Sequence, residues 1–273
     1  PGGSVANTIA GVASLGLTTA FLGKVKDDPL GRFYAEGMVA EGIAFPNPPA
    51  AGDLPPTSRS MIFVSPDGER SMNTYLGAGA DFDEADVDVS VAGSARYLFL
   101  EGYHYDKPQG KRAFAAAARA CREGGGQSGI SLSDPFCVDR HRADFQGLIR
   151  DELDYVIVNR EEGQALFHTE DLTQAIAQAA ASVATVIFTQ SGVPVLLRQG
   201  DAVVEVPVMP VIPVDATGAG DQFAAGVIYG LASGHGLELA GRMGVASAAD
   251  VIAHIGPRPS RPLPEVFAAA GLI

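Results

Sequence analysis

The sequence is poor in cysteine and in positive charge, and each shortage narrows what the protein can be. Its 273 residues include two cysteines, Cys121 and Cys137, whose spacing is not that of a metal site. Two cysteines are too few for a small module held together by disulfides, and they predict that the protein works in a reducing compartment. Lysine and arginine number 19 against 32 aspartates and glutamates, for a net charge of -13. Because nucleic-acid binding usually needs a basic stripe, we expect no nucleic-acid partner, and any bound phosphate must be neutralised locally.

The sequence also lacks a convincing membrane segment. The uncharged stretch Ser4–Gly23 is long enough to span a membrane, but serine, threonine, asparagine and glycine interrupt it. It favours a helix, a turn at Gly16 and a strand. No signal-peptide pattern is visible, so we expect a soluble, cytoplasmic protein without a membrane partner. The sequence begins at Pro1 without an initiator methionine, from which we expect that the true N-terminus is missing.

Hydrophobic periodicity predicts alternating strands and helices along most of the chain. The predicted helices are 30–41, 110–122, 172–183, 219–233 and 237–252, and the predicted strands include 97–100, 130–132, 155–158 and 186–189. Such alternation predicts an α/β fold with a mainly parallel, doubly wound central sheet that carries helices on both faces. Ligands bind such sheets at the carboxyl ends of the strands.

Two hairpins interrupt this alternation. The runs 57–65 and 70–76 flank the turn Pro66–Glu69, and 193–197 and 202–206 flank a second turn at Gln199–Asp201. We expect the first hairpin, with its surroundings at 57–77, to be a small β excursion from the main sheet. It could serve as a lid over a site or as a dimerisation strand pair, so both a monomer and a homodimer stay open.

The strongest local signal is the small-residue turn that precedes the predicted helix 219–233. Gly218, Ala219 and Gly220 would let the backbone approach an anion, and the first-turn N–H groups and the helix dipole favour negative charge there. Asp221 would lie beside a phosphate bound at this helix end. The same residue is equally well explained as an acidic side chain that complements the helix dipole.

Two further patterns have a functional and a structural explanation. Asn159 and Glu162 follow the predicted strand 155–158 and could order the water ligands of Mg²⁺, although Asn-x-x-Glu is more often a capping box. The segment Gly2–Asn7 could face a hydroxylated ligand, with Ser4 as the N-cap of the first helix. By themselves, Arg70 is most simply a solvated charge and Phe136 a packing residue.

Taken in chain order, Gly2–Asn7, Asn159–Glu162 and Asp215–Asp221 resemble the ribokinase (PfkB) family of carbohydrate and nucleoside kinases. Within that family, Ser131–Phe136 and Glu69–Ala78 resemble adenosine kinases more than sugar kinases. The resemblance spans the whole chain and implies a single ribokinase-like domain over residues 1–273, with the hairpin at 57–77 as its lid. It also implies a first strand, ahead of Pro1, that carries an acidic substrate-binding residue.

The resemblance implies ATP and Mg²⁺ as cofactors and assigns the chemistry position by position. Asp221 matches the catalytic base, and Gly218, Ala219 and Gly220 match the anion hole that holds the transferring phosphoryl group. Asn159 and Glu162 match the motif that organises Mg²⁺ and the phosphates. These assignments agree with phosphoryl transfer as a reaction that depends on positioning and charge stabilisation.

The remaining assignments concern the acceptor, the nucleotide and a monovalent cation. Residues that match the acceptor site are Gly3, Ser4 and Asn7 at the ribose hydroxyls, Phe136 stacked on the nucleoside base, and Arg70 as a lid arginine. Thr189 and Gly192 match the adenine-nucleotide loop. Asp215 and the Thr217 carbonyl match the cation site of members that use potassium.

We therefore expect an ATP-dependent kinase that acts on a nucleoside, with adenosine converted to AMP. A sugar kinase for ribose, fructose or a related acceptor is the alternative within the family. A non-catalytic nucleotide-binding protein is the alternative of another class, against which the presence of Asp221 and of Asn159 with Glu162 argues. A dinucleotide-dependent oxidoreductase fits poorly, because no strand-linked G-x-G-x-x-G is followed by an acidic residue at the required distance.

Overall fold

A computed structural model describes all residues, Pro1–Ile273, which form two compact units. The first unit comprises Pro1–Phe82 and Met209–Ile273, and the second comprises Asp83–Val208. None of the helices combines the length and the apolar character that crossing a membrane requires.

The first unit is mainly helical and carries two pairs of strands. Its elements are α1 (Ser4–Ser14), β1 (Thr19–Ala20), α2 (Pro29–Ala40), β2 (Ile43–Ala44), β3 (Arg59–Val64), β4 (Arg70–Tyr75), a 3₁₀ helix (Gly77–Asp81), α8 (Ala219–Ala232), α9 (Leu237–Val251) and α10 (Leu263–Ala269). β1 and β2 are parallel, whereas β3 and β4 form an antiparallel hairpin. Helices α8 and α9 pack so closely that a Cβ on Gly226 would lie 2.5 Å from the Met243 carbonyl oxygen.

The second unit contains the central sheet. Its elements are a 3₁₀ helix (Glu84–Asp86), α3 (Val89–Ser94), β5 (Tyr97–Glu101), a 3₁₀ helix (Gly102–Asp106), α4 (Pro108–Glu123), β6 (Gln127–Ser131), α5 (Pro135–Glu152), β7 (Tyr155–Asn159), α6 (Arg160–Phe167), α7 (Leu172–Ser182), β8 (Thr185–Thr189), β9 (Val195–Gln199) and β10 (Ala202–Val206). The strand order is β10-β9-β8-β7-β6-β5. β5 to β8 are parallel, and β9 and β10 add an antiparallel hairpin at one edge.

Alternate strand positions explain the core of the second unit. Ile130, Val156 and Val186 are fully or almost fully buried and pack in one cluster with residues of α4 to α7. Because side chains of a strand alternate between its two faces, these positions form the helix-facing side of the sheet. The predicted α/β class and the mainly parallel sheet are confirmed, and the single-domain assignment over 1–273 stays a prediction.

Most predicted elements are present within a few residues, but helix α5 was missed. Its helical period is interrupted at His141, where φ is -127° and ψ is 23°, so no continuous apolar stripe runs along the 18 residues. A start signal is nevertheless present. The Asp134 carboxylate accepts hydrogen bonds from the N–H groups of Phe136 and Cys137, and Pro135 occupies the first helical position.

The predicted N-cap of the first helix was wrong by one residue. Gly3 is the N-cap of α1, with a φ of 115° that favours glycine, and Ser4 is the first helical residue. The Ser4 hydroxyl donates instead to the carboxylate of Asp221, which is distant in sequence. This side chain belongs to the candidate site.

Candidate functional site

The start of α8 is a tight turn that only glycine can form at its first position. Gly218 is the N-cap with a φ of 82°, and a Cβ there would lie 2.5 Å from the Pro257 carbonyl oxygen. Gly220, in contrast, is exposed and has open space where a side chain would begin. The N–H groups of a first helical turn point out along the helix axis, where they can bind an anion. Gly218, Ala219 and Gly220 therefore form a backbone surface suited to a phosphate.

Asp221 lies in this first turn and contacts two residues of α1. Ser4 Oγ donates to Asp221 Oδ1 at 3.0 Å, and Asn7 Nδ2 donates to Asp221 Oδ2 at 2.9 Å. Both oxygens of the carboxylate are thus oriented by hydrogen bonds from one face of one helix. The structure thereby brings Asp221 together with two other predicted site residues that lie more than 200 positions before it in sequence. Gly3, also predicted, adjoins them as the N-cap of α1.

Asp215 anchors the loop that precedes α8. It is 2 % exposed, and its two oxygens accept the N–H groups of Thr217 at 2.8 Å and Gly256 at 2.9 Å. Burial by itself would raise the pKa of Asp215, but hydrogen bonds from Thr217 and Gly256, with the charge of Arg70, outweigh burial and lower it. Thr217 is also buried. Asp215 and Thr217 carry oxygen atoms, which are the kind of ligand that a monovalent cation binds, but the cation site stays a prediction.

The hairpin of the first unit contacts this loop through its turn. The Ala216 N–H donates to the Gly68 carbonyl oxygen at 3.0 Å, and Gly68 has a φ of 83°. Arg70 is exposed at the start of β4, and its charge is one of the causes that lower the pKa of Asp215. The role of Arg70 as a lid arginine stays a prediction.

In the second unit, Asn159 and Glu162 form a complete capping box. Asn159 Oδ1 accepts the Glu162 N–H at 2.8 Å, and Glu162 Oε2 accepts the Asn159 N–H at 3.1 Å. Asn159 Nδ2 also donates to Glu162 Oε1 at 2.9 Å. The capping box, which the sequence offered as the alternative to a metal site, is therefore present at the carboxyl end of β7. A role in binding a metal ion stays a prediction.

Glu162 is charged less readily than an ordinary glutamate. Burial is the main cause that raises its pKa to about 7, and the charges of Glu161 and Asp134 act in the same direction. The hydrogen bond from the Asn159 N–H opposes them. Because a nearby cation would favour the charged carboxylate, binding of a metal ion near Glu162 would reverse this shift.

Phe136 is not a packing residue of the second unit. It occupies the first turn of α5, directly after Pro135, and is 72 % exposed. Ser133, three residues before Phe136, has a φ of 72°, and its carbonyl oxygen accepts a hydrogen bond from the Tyr103 hydroxyl at 3.2 Å. An exposed aromatic ring in an ordered turn is available to a flat ligand.

The predicted nucleotide-loop residues lie at the end of β8. The Thr189 hydroxyl donates to the Val158 carbonyl oxygen at 3.4 Å. Gly192 has a φ of 73° and open space around it, so the loop follows a glycine-dependent path. Nothing in these contacts requires a nucleotide, and the assignment of Thr189 and Gly192 stays a prediction.

Sequence reasoning missed two residues that contact Asn7. The Gln222 side chain donates to the Asn7 carbonyl oxygen at 2.9 Å, and Arg258 Nε lies 3.5 Å from Asn7 Oδ1. The only sign in the sequence that Gln222 belongs to the site is that it directly follows Asp221. Arg258 has none, because it is separated from Asn7 by 251 positions.

The chain is similar to known proteins both in sequence and in structure. Residues 1–264 match the profile of the pfkB family carbohydrate kinases. A fructokinase from Klebsiella pneumoniae is 30 % identical over 248 residues, which cover 87 % of this chain and 78 % of the relative. Two solved structures are each 42 % identical and cover 100 % of this chain and 83 % of their own. They are a probable sugar kinase protein from Rhizobium etli CFN 42, with a TM-score of 0.96, and an adenosine kinase from Sinorhizobium meliloti, with a TM-score of 0.94. These likenesses confirm the predicted ribokinase-like fold.

Proposed function

Because the chain belongs to the PfkB family of carbohydrate kinases, which are ATP-dependent phosphotransferases with alcohol acceptors, we propose that it phosphorylates the 5′-hydroxyl of a nucleoside and converts adenosine to AMP. The observation that carries the catalytic assignment is the pair of hydrogen bonds that orients Asp221 at the start of α8. A carboxylate so held, next to a backbone surface suited to phosphate, has the arrangement that a general base for phosphoryl transfer needs.

In the proposed reaction, Asp221 accepts the proton of the acceptor hydroxyl. The hydroxyl oxygen forms a bond to the γ-phosphorus of ATP, and the bond to the bridging oxygen of ADP breaks. The N–H groups of Gly218, Ala219 and Gly220 stabilise the charge on the transferring phosphoryl group. These groups are fixed by the helix before the reaction begins, so little reorganisation is needed as charge shifts.

Asn159 and Glu162 would hold Mg²⁺ through its water ligands. Their oxygens suit this hard cation, and a cation is what would return the buried Glu162 to its charged form. When bound, Mg²⁺ neutralises the phosphate oxygens of ATP. Thr189 and Gly192 would contact the nucleotide, and Arg70 would reach its phosphates from the hairpin. Such local neutralisation is needed in a chain whose net charge is -13.

Four predicted residues would contribute to binding of the acceptor. Gly3, Ser4 and Asn7 lie where a sugar hydroxyl could join the hydrogen bonds around Asp221. Phe136 would stack on the base, and its 72 % exposure leaves its ring free to do so. Asp215 and the Thr217 carbonyl would supply oxygens to a monovalent cation such as K⁺.

A sugar kinase is the second candidate, favoured by the likeness to the Klebsiella pneumoniae fructokinase and the Rhizobium etli protein. Phe136 bears on this choice, because its exposed ring could stack on the base of a nucleoside, a group that a free sugar lacks. The deciding experiment is a coupled assay of ADP formation over nucleosides and sugars, with and without K⁺. Turnover of adenosine supports the proposal. Turnover of ribose or fructose with none of adenosine overturns the choice of acceptor, and ligand binding without any turnover overturns catalysis.

A further inference from the structure

The residue that follows Asp221 is buried and joins two distant segments of the first unit. Gln222 has no exposed surface, and its Nε2 donates to the Asn7 carbonyl oxygen at 2.9 Å and to the Pro257 carbonyl oxygen at 3.2 Å. One carboxamide therefore fixes the backbone of α1 at Asn7 and the backbone beside Arg258. Its location directly after Asp221 places this contact in the same helical turn as the proposed base.

Arg258 contacts the side chain of the same asparagine. Its Nε lies 3.5 Å from Asn7 Oδ1, and its Nη1 forms an ion pair with Glu41. An asparagine amide has nearly the same shape when turned over, but only one orientation directs Nδ2 to an acceptor and Oδ1 to a donor. Because a guanidinium only donates, Arg258 selects the orientation in which Nδ2 points to the Asp221 carboxylate.

Each of these two side chains has one atom whose burial lowers stability. Gln222 Oε1 and Arg258 Nη2 are buried and have no hydrogen-bond partner. Unsatisfied buried polar atoms lower stability, and an apolar side chain of similar shape would avoid this penalty. Departures of this kind are expected where function constrains the residue.

We propose that Gln222 and Arg258 are positioning residues that hold Asn7, and through Asn7 the Asp221 carboxylate, in the orientation that accepts the acceptor's proton. The inference rests on the proposed function of Asp221. Without Arg258, Asn7 Oδ1 loses its donor, so the Asn7 side chain is held only by its hydrogen bond to the carboxylate and can rotate away from it. Without Gln222, the backbone of α1 at Asn7 loses its link to the helix that carries Asp221.

The kinetic test compares Arg258→Gln with Arg261→Gln. Arg261 is a matched control, because it lies three residues further on and pairs with Asp250 at 2.8 Å, away from Asn7. We expect Arg258→Gln to lower kcat about tenfold with an unchanged KM for ATP, the size of effect that loss of one hydrogen bond produces. Arg261→Gln should retain the wild-type kcat. In an Asn7→Ala background, Arg258→Gln should have less than about a twofold effect, since its partner is already gone. A full tenfold effect in that background would overturn the proposal.

Arg258→Lys separates the role at Asn7 from the ion pair. Lysine keeps a charge for Glu41 but has no group equivalent to Nε. We expect it to resemble Arg258→Gln, and a wild-type kcat would show that only the ion pair matters. Gln222→Met removes both donors at similar length and should show the same dependence on Asn7. If that variant does not fold, the Arg258 series decides the question.

A measurement independent of kinase activity completes the test. The side-chain amide resonances of Asn7 can be identified in a ¹⁵N-labelled protein by their absence in Asn7→Ala. Arg258→Gln should shift these resonances, and Arg261→Gln should leave them in place. Unchanged Asn7 resonances in Arg258→Gln would overturn the positioning role. If Arg258→Gln shifts these resonances but the wild-type protein transfers no phosphoryl group to any acceptor, only the proposed function is overturned.

Discussion

Asn7 Nδ2 lies 2.9 Å from Asp221 Oδ2, although 214 positions separate the two residues in sequence. The contact joins the first helix of the chain to the start of α8, and Ser4 adds a second hydrogen bond to the other oxygen of the same carboxylate. A carboxylate held at both oxygens has a defined direction in which it can accept a further proton. This geometry leads to the first prediction.

Asp221→Asn should lower kcat by roughly 10²- to 10⁴-fold, the range for removal of a general base, with little change in stability. Asparagine keeps the size of the side chain but cannot take the proton. Steady-state kinetics and thermal unfolding measure the two effects. Asp201→Asn, in the exposed turn between β9 and β10, is the matched control and should behave as wild type. A folded Asp221→Asn variant with near-normal turnover would remove the assignment.

Gly218→Ala and Gly220→Ala should differ sharply in stability. Alanine at 218 must adopt a φ of 82° and meets the Pro257 carbonyl oxygen at 2.5 Å, so the free energy of unfolding should fall by about 1–3 kcal/mol or more. Gly220 lies in the helix with open space around it, and alanine there should be neutral or stabilising by about 0.5–1 kcal/mol. Denaturant titration of both variants checks this order, and equal losses would contradict it.

Glu162→Gln should change how stability depends on pH. The pKa of Glu162 is raised from 4.5 to about 7 in the folded protein. Between these values the folded state retains a proton that the unfolded state has lost, so this group lowers stability as pH rises through the window. Glutamine removes the dependence.

The difference in unfolding free energy between Glu162→Gln and wild type should therefore grow in favour of the variant by about 3 kcal/mol from pH 4.5 to pH 8. Urea titration at several pH values measures it. The exposed neighbour provides a matched control, Glu161→Gln, for which a much smaller change is expected. A difference that stays constant across this pH range would mean that Glu162 keeps an ordinary pKa.

Phe136→Ala should raise KM for adenosine by roughly tenfold to a hundredfold, because stacking of a base on an aromatic side chain contributes about 1–3 kcal/mol. The KM for ATP and the melting temperature should change little, since the ring is 72 % exposed. Phe33→Ala, a similarly exposed phenylalanine at 64 % on α2, is the matched control. If adenosine kinetics are the same in both variants, Phe136 does not bind the acceptor.

Local patterns in the sequence determined much of the secondary structure. The start of α8, the hairpin around Pro66–Glu69 and the Asn159 cap each depend on residues within a few positions of one another. Helix α5 was not predicted, because its helical periodicity is interrupted at His141. Ser4 was predicted to be the N-cap of the first helix because serine at the start of a helix usually is one, but its hydroxyl binds Asp221. Composition and motif order were enough to indicate the kinase family.

The tertiary structure alone decided how the candidate base is held. Asn7, Gln222 and Arg258 contribute to one hydrogen-bonded group from three distant segments, and no periodicity or spacing relates them. Propensities and caps are set by interactions along the chain, whereas contacts across 200 residues depend on how the whole fold brings distant segments together. For that reason the sequence identified Asp221 as a candidate base, and only the folded chain determined which side chains orient it.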